Sequence, residues 1–128
     1  MSNLTKYTLE FPINSSVIIL YKHLSTPSGL SEWFADDVMI TNKIFTFYWN
    51  SSNQKAKLLK FKTNQFIRFK WEENDTQDDY FEFLIQVDKI TLDVCLMITD
   101  FAEDEQEKKE QTKLWTKQIS ILKRAIGS

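Results

Sequence analysis

Apolar and polar positions alternate, coil and alternate again along this chain, and their order predicts its architecture. Tyr7, Leu9 and Phe11 alternate with Thr8 and Glu10, marking a half-buried first strand that Pro12 ends. Val17, Leu20, Tyr21 and Leu24 then follow helical spacing behind Asn14, Ser15 and Ser16, which are candidate N-caps, so residues 15–25 read as a helix. Thr26-Pro27 supplies an N-cap with proline at the first helical position, and a second short helix runs to about Phe34, carrying Leu30 and Trp33.

From Val38 the period is two. Val38–Thr41 is a short strand, and Phe45, Phe47 and Trp49 alternate with Thr46 and Tyr48. Asn50–Asn53 is a turn. Lys55–Phe61 is a weaker strand whose lysines change parity between Lys57 and Lys60, which predicts a bulge near Leu58-Leu59. After a turn at Thr63-Asn64, Ile67, Phe69 and Trp71 form another alternating run, and Glu73–Asp79 is a polar connection. Phe81, Phe83, Ile85 and Val87 alternate next, followed by Leu92, Val94, Leu96 and Ile98. From Glu103 to Ile126 there is neither Pro nor Gly. Acids crowd the front of this segment, Lys117, Lys123 and Arg124 sit at its back, and Trp115, Ile119, Leu122 and Ile126 share one face. The expected order is strand, two helices, six strands and a long helix: an α+β fold in which the last helix lies across an antiparallel sheet. The inner sheet face is almost wholly apolar. The outer face carries Arg68, Lys70, Glu82 and Asp93, mixed signs suited to cross-strand pairing.

The totals narrow the function classes. A chain of 128 residues reads as one domain, and 42% hydrophobic with 27% charged residues is an ordinary globular composition. With only two Gly and two Pro, the turns must come from Asn, Asp and Ser. The net charge of −2 argues against a general nucleic-acid binder. The lysines of 55–62 with Arg68 and Lys70 make a locally basic strand pair, but Phe69 and Trp71 are needed inside. The one Cys, Cys95, excludes an internal disulfide. No apolar segment approaches a membrane span, and no signal-peptide pattern opens the chain, so the expectation is a cytoplasmic protein.

Three segments carry a resemblance to a known family. Ser25-Thr26-Pro27-Ser28-Gly29-Leu30-Ser31-Glu32-Trp33-Phe34 is similar to a "dP-x-x-l-x-x-W-f" segment. Phe45-Thr46-Phe47-Tyr48-Trp49 is similar to an "f-x-f-x-w" strand, and Gln65–Trp71 to an "r-l-v-f-x-w" strand. Together with Trp115 and the later Leu122-Lys123, they resemble the START-like and Bet v 1-like (helix-grip) superfamily, on the side of the proteins related to the activator of Hsp90 ATPase. Asn42-Lys43 stands where that group usually has a glycine, and Lys89-Ile90-Thr91 where it commonly has Gly-Thr. The resemblance implies a curved sheet gripping the last helix, and a hydrophobic ligand between them.

Three readings of function follow. The first is a non-enzymatic binding module for a small hydrophobic or amphipathic ligand, held between sheet and helix by Trp33, Phe47, Trp49, Phe69, Trp71, Phe83 and Trp115, with Tyr48 or Tyr80 as hydrogen-bonding groups at the rim. Against it stands a core closed by its own rings. The second is a protein-interaction module of co-chaperone type, using the outer sheet face or the acidic stretch Glu103–Glu110. The third is a cyclase- or dehydratase-type enzyme, which needs a titratable side chain inside the cavity. The alternation places none there. Asp36 and Asp37 sit at the mouth of the apolar set, either as acid–base groups or as loop caps. The lone His23 reads as a surface residue near a helix end, and no metal-ligand spacing or nucleophile motif accompanies it, so neither metal nor cofactor is expected. Cys95 has outward parity. Several proteins of this superfamily dimerise, and a homodimer stays open.

Overall fold

In the computed structural model, residues 4–74 and 78–128 are described. The strands are β1 (Thr5–Pro12), β2 (Asp37–Thr41), β3 (Ile44–Trp49), β4 (Ser52–Lys62), β5 (Phe66–Trp71), β6 (Phe81–Val87) and β7 (Val94–Ala102). The helices are α1 (Val17–Ser25), α2 (Pro27–Leu30) and α3 (Glu105–Ile126), with a 3₁₀ turn at Glu72–Asn74. The seven strands form one antiparallel sheet in the order β1-β7-β6-β5-β4-β3-β2. Strands β2 to β7 meander, each beside its neighbour in sequence, while β1 closes back on β7. The α1–α2 pair therefore carries the chain from one edge of the sheet to the other.

Local chemistry explains the boundaries. Ser16 Oγ accepts from the Ile19 N–H at 3.1 Å and Thr26 Oγ1 from the Gly29 N–H at 3.0 Å, capping α1 and α2. A side chain at Gly29 would place its Cβ 2.2 Å from the Lys22 carbonyl oxygen, so the two helices meet this closely only because residue 29 has none. The short helix stops at Leu30, earlier than its apolar spacing predicts. The chain continues in turns, and Phe34 N–H still donates to Leu30 O at 2.9 Å. Asp104 caps α3 by accepting from the Glu107 N–H at 2.8 Å, and Gly127 ends it at φ 74°. With scarce glycine, the turns use left-handed Asn42, Lys43, Asn50 and Asn64.

The expected bulge is present: the β4–β5 register shifts between Leu58 and Lys60. Two boundaries differ from expectation at β7. Leu92 is a turn residue at φ 65° and 70% exposed, not the first inward position of the strand. The strand also continues past Ile98 to Ala102. Asp93 accordingly lies in the turn, where its carbonyl accepts from the Asp88 N–H at 2.9 Å. Residues 75–77 of the polar connection lie outside the described residues.

Helix α3 packs on the sheet through Trp115, Ile119 and Leu122, all buried. Burying each such side chain stabilises the contact by roughly 1.5–3 kcal/mol. Beneath it Phe45, Phe47, Phe69, Phe81 and Phe83 are fully buried and packed ring to ring. The ring that closes this core comes from the α2–β2 connection. Phe34 lies between sheet and helix, its centroid 4.9 Å from Phe47, 5.9 Å from Phe81, 6.1 Å from Phe83 and 5.9 Å from Trp115. The middle of the space that a helix-grip fold encloses is thus filled by the protein itself.

Candidate functional site

Beside the Phe34 plug the space opens into a cleft of about 370 Å³. One wall is the first half of α3, through Gln111, Leu114, Trp115 and Gln118. The other is the sheet, through Trp49, Gln54, Trp71 and Asp100, with Phe34 between. The walls end here because β3 and β5 end here. Trp49 and Trp71 are the last inward residues of their strands, so they are half-buried where Phe47 and Phe69 are wholly covered. A second groove of about 400 Å³, running past Trp33, Asp36 and Lys117, shares Phe34, Trp49, Leu114 and Gln118 with the first. A broader hollow of about 580 Å³ on the far side of α3 is walled by that helix alone, so nothing faces an occupant there.

Trp49 and Trp115 are fixed by their indole N–H groups. Trp49 Nε1 donates to the Phe34 carbonyl at 2.9 Å, and Gln118 Nε2 donates to the same oxygen at 3.1 Å. One backbone carbonyl therefore ties β3, the α2–β2 connection and α3 together. Trp115 Nε1 donates to Asp100 Oδ2 at 2.9 Å, while the Phe101 N–H donates to Asp100 Oδ1 at 2.8 Å. A buried indole N–H needs such a partner, which is why the tryptophans sit where the core meets polar groups.

Asp100 is the charged residue of this lining. It shares the inward parity of Leu96 and Ile98 on β7. Burial pushes its carboxyl up to about 6, and the nearby charges of Asp79 and Glu107 push the same way; the hydrogen bonds from Trp115 and the Phe101 N–H oppose them. Next to it, the Tyr7 hydroxyl of β1 donates to Gln111 Oε1 at 2.5 Å. Burial first, and then the Asp100 charge, hold that phenol far above its ordinary value. Tyr7, Asp100, Gln111 and Trp115 form one polar cluster joining β1, β7 and α3.

The family description START-like superfamily domain matches residues 1–128. The chain belongs to the START-like superfamily. This START-like chain is 36% identical to BfR322 of Bacteroides fragilis, solved by solution NMR, over 94% of this chain and 90% of that one, with a TM-score of 0.70. It shares its fold with the Aha1 dimer from Colwellia psychrerythraea at 17% identity, TM-score 0.80, over 95% and 96% of the two chains. It does so too with MLL2253 from Mesorhizobium loti at 11% identity, TM-score 0.78, over 96% and 97%. No functionally curated protein matches the chain.

The START-like frame sorts the aromatic residues singled out in the sequence into three places. Trp49, Trp71 and Trp115 line the cleft, and Trp33 lines the adjoining groove while its Nε1 donates to the His23 carbonyl at 2.7 Å. Phe47, Phe69 and Phe83 are fully buried in the packed core. Tyr48 and Tyr80 are on the other face of the sheet. The Tyr48 hydroxyl points to Met39 Sδ at 3.9 Å, and the Tyr80 ring lies under the Arg68 guanidinium, 4.1 Å from its centroid, and against Phe101. Even-numbered positions beside inward Phe47, Trp49 and Phe81 face outward, so neither tyrosine reaches the rim. The residues that sequence reasoning left out are Gln54, Asp100, Gln111, Leu114 and Gln118. Of these, Asp100 had a usable signal, the parity of β7 carried two residues further.

The other candidates have structural roles. Asp36 Oδ2 accepts from the Asn50 N–H at 2.8 Å and Asp37 Oδ1 from the Val38 N–H at 2.9 Å, so both act as loop caps. His23 is half-buried rather than on the surface: one ring nitrogen meets the Ile19 carbonyl at 2.9 Å and the other Glu32 at 3.3 Å, linking α1 to the turns after α2. The Cys95 thiol is raised by burial and by Glu10, the reverse of an activated nucleophile. On the outer face Arg68 pairs with Glu82 at 2.8 Å and Lys70 with Asp79 at 3.1 Å. Among the described residues no group of His, Cys, Asp and Glu is placed to hold a metal, and no helix is long and apolar enough to cross a membrane.

Proposed function

We propose that this START-like chain binds a small amphipathic molecule in the cleft beside Phe34, without transforming it. The observation that carries the reading is the make-up of the cleft: three indoles and Leu114 offer apolar surface, and Gln54, Gln111, Gln118 and Asp100 offer polar atoms, around about 370 Å³. That volume lies at the small end of the range for small-molecule sites, roughly 300–1,000 Å³. It suits a ligand smaller than a long-chain lipid, because Phe34 fills the deeper space. Apolar burial at about 25 cal/mol per Å² drives such binding. Native mass spectrometry and thermal shift against fatty acids, sterols, flavonoids and small arylalkyl compounds test it. A bound mass and a raised Tm, both lost in Trp49→Ala, are expected. No bound mass and no shift for any class overturns the reading.

A protein-interaction role is the second reading, favoured by the ring-filled core and by the solvent-facing acids Glu105 and Glu110 at the start of α3. Reversing both charges should then weaken capture of a partner such as Hsp90, whereas an unchanged pull-down removes this reading.

A further inference from the structure

Resting on the binding reading above, we infer that the cleft selects its ligand by the sign of the polar head. It takes an apolar body ending in an ammonium or another hydrogen-bond-donating cation, and it rejects the same body ending in a carboxylate.

The lining holds one carboxylate and no Lys, Arg or His. The glutamines Gln54, Gln111 and Gln118 can donate or accept, so they do not set the sign. Asp100 does. It accepts from Trp115 Nε1 and the Phe101 N–H and also interacts with the Tyr7 hydroxyl, and the roughly four acceptor sites of a carboxylate leave one for a further donor. Around Asp100, β1 contributes the Tyr7 phenol, α3 contributes Glu107, and the segment before β6 contributes Asp79, and each of the two carboxylates disfavours more negative charge. The cations nearby are directed elsewhere. Lys70 pairs with Asp79 at 3.1 Å, Lys108 stands over the Tyr7 ring, 5.6 Å from its centroid, where it lines a separate small hollow, and Lys117 lines the adjoining groove, whose walls also carry Glu32 and Asp36.

The apolar walls point the same way. The negative faces of Trp49, Trp71 and Trp115 attract a cation and repel an anion. An anionic head seated beside Asp100 would lose water and gain no counter-charge from the cleft's own lining. A cationic head would gain both a carboxylate and indole faces. Acidification should weaken this preference, because Asp100 takes up its proton near pH 6.

Three probes with one body separate the outcomes: 4-phenylbutylamine, 4-phenylbutanol and 4-phenylbutyrate, titrated against the protein while the tryptophan side-chain N–H signals are followed by NMR. At pH 7.5 the amine should bind about tenfold or more tighter than the alcohol, and the carboxylate more weakly than the alcohol. At pH 5, where neither amine nor alcohol changes charge, their gap should narrow several-fold to what the indole faces alone sustain. Asp100→Asn should narrow it likewise at pH 7.5, and the pH arm on the unaltered protein stands even where that variant folds poorly. Equal affinities, or a preference for the carboxylate, would overturn the charge selection while leaving the cleft a binding site. Silence from all three probes would overturn both.

Discussion

Two neighbouring parts of one interior use aromatic rings in opposite ways. Under the middle of the sheet, Phe45, Phe47, Phe69, Phe81 and Phe83 are sealed ring against ring with Phe34. At the strand ends, Trp49, Trp71 and Trp115 stand around open space and a buried carboxylate. The difference is chemical as well as positional. Phenylalanine carries no polar atom and can be covered on all sides. An indole N–H must find an acceptor, and Trp49 and Trp115 find theirs at the Phe34 carbonyl and at Asp100. The boundary between core and cleft therefore follows the change from Phe to Trp along β3 and β5. The lesson is that aromatic content alone does not distinguish a filled barrel of rings from a binding site. The polar partner at the end of the strand does.

The sharpest way to break this contrast is to remove the ring that divides the two regions. Phe34→Ala should cost about 3–5 kcal/mol, measured by chemical denaturation. It should also merge the cleft with the core space and increase uptake of larger apolar ligands, whereas an unchanged stability would show that Phe34 does not seal the interior. The next largest effect lies on the cleft side. Asp100 binds its proton more tightly folded than unfolded, so its contribution to stability is full below the unfolded value near 4 and is lost as pH rises through about 6. Between those limits it amounts to at most about 3 kcal/mol. Denaturation of the unaltered protein and of Asp100→Asn across pH 4–8 should show this slope in the first only. Gln118→Ala, which deletes one of two donors to the Phe34 carbonyl, should cost about 1 kcal/mol. A control on the outer face, Arg68→Ala, removes the pair with the mostly covered Glu82 and the guanidinium over the Tyr80 ring and should cost about 1 kcal/mol, with ligand binding unchanged.

Much of this molecule was legible because its alternation is strict. The succession of elements along the chain, the bulge at Leu58-Leu59 and the buried face of α3 all follow from parity and helical spacing, whereas the pairing of β1 with β7 does not. The site was less legible, for identifiable reasons. Reading β7 as ending at Ile98 hid Asp100, since a strand pattern usually stops where the apolar residues stop. Tyr48 and Tyr80 looked suited to a rim by chemistry, but their parity turns them away. Phe34 belongs to a connection whose path no periodicity describes, so neither its plugging role nor the size of the cleft could be counted from the chain. Both depend on how far the helix stands off the sheet, which the summed volumes of many side chains decide.

The extra residue in β4 works as a phase shift. If the register of Ala56–Leu58 ran on unbroken through the same sequence, Lys60 would stand opposite Ile67 and turn toward the interior; with Leu59 set out of the ladder, Lys60 stands opposite Arg68, and Lys55, Lys57, Lys60 and Lys62 all reach solvent. Across neighbouring strands Lys57 faces Lys70 and Lys60 faces Arg68, like charges whose repulsion is offset where Lys70 pairs with Asp79 and Arg68 with Glu82.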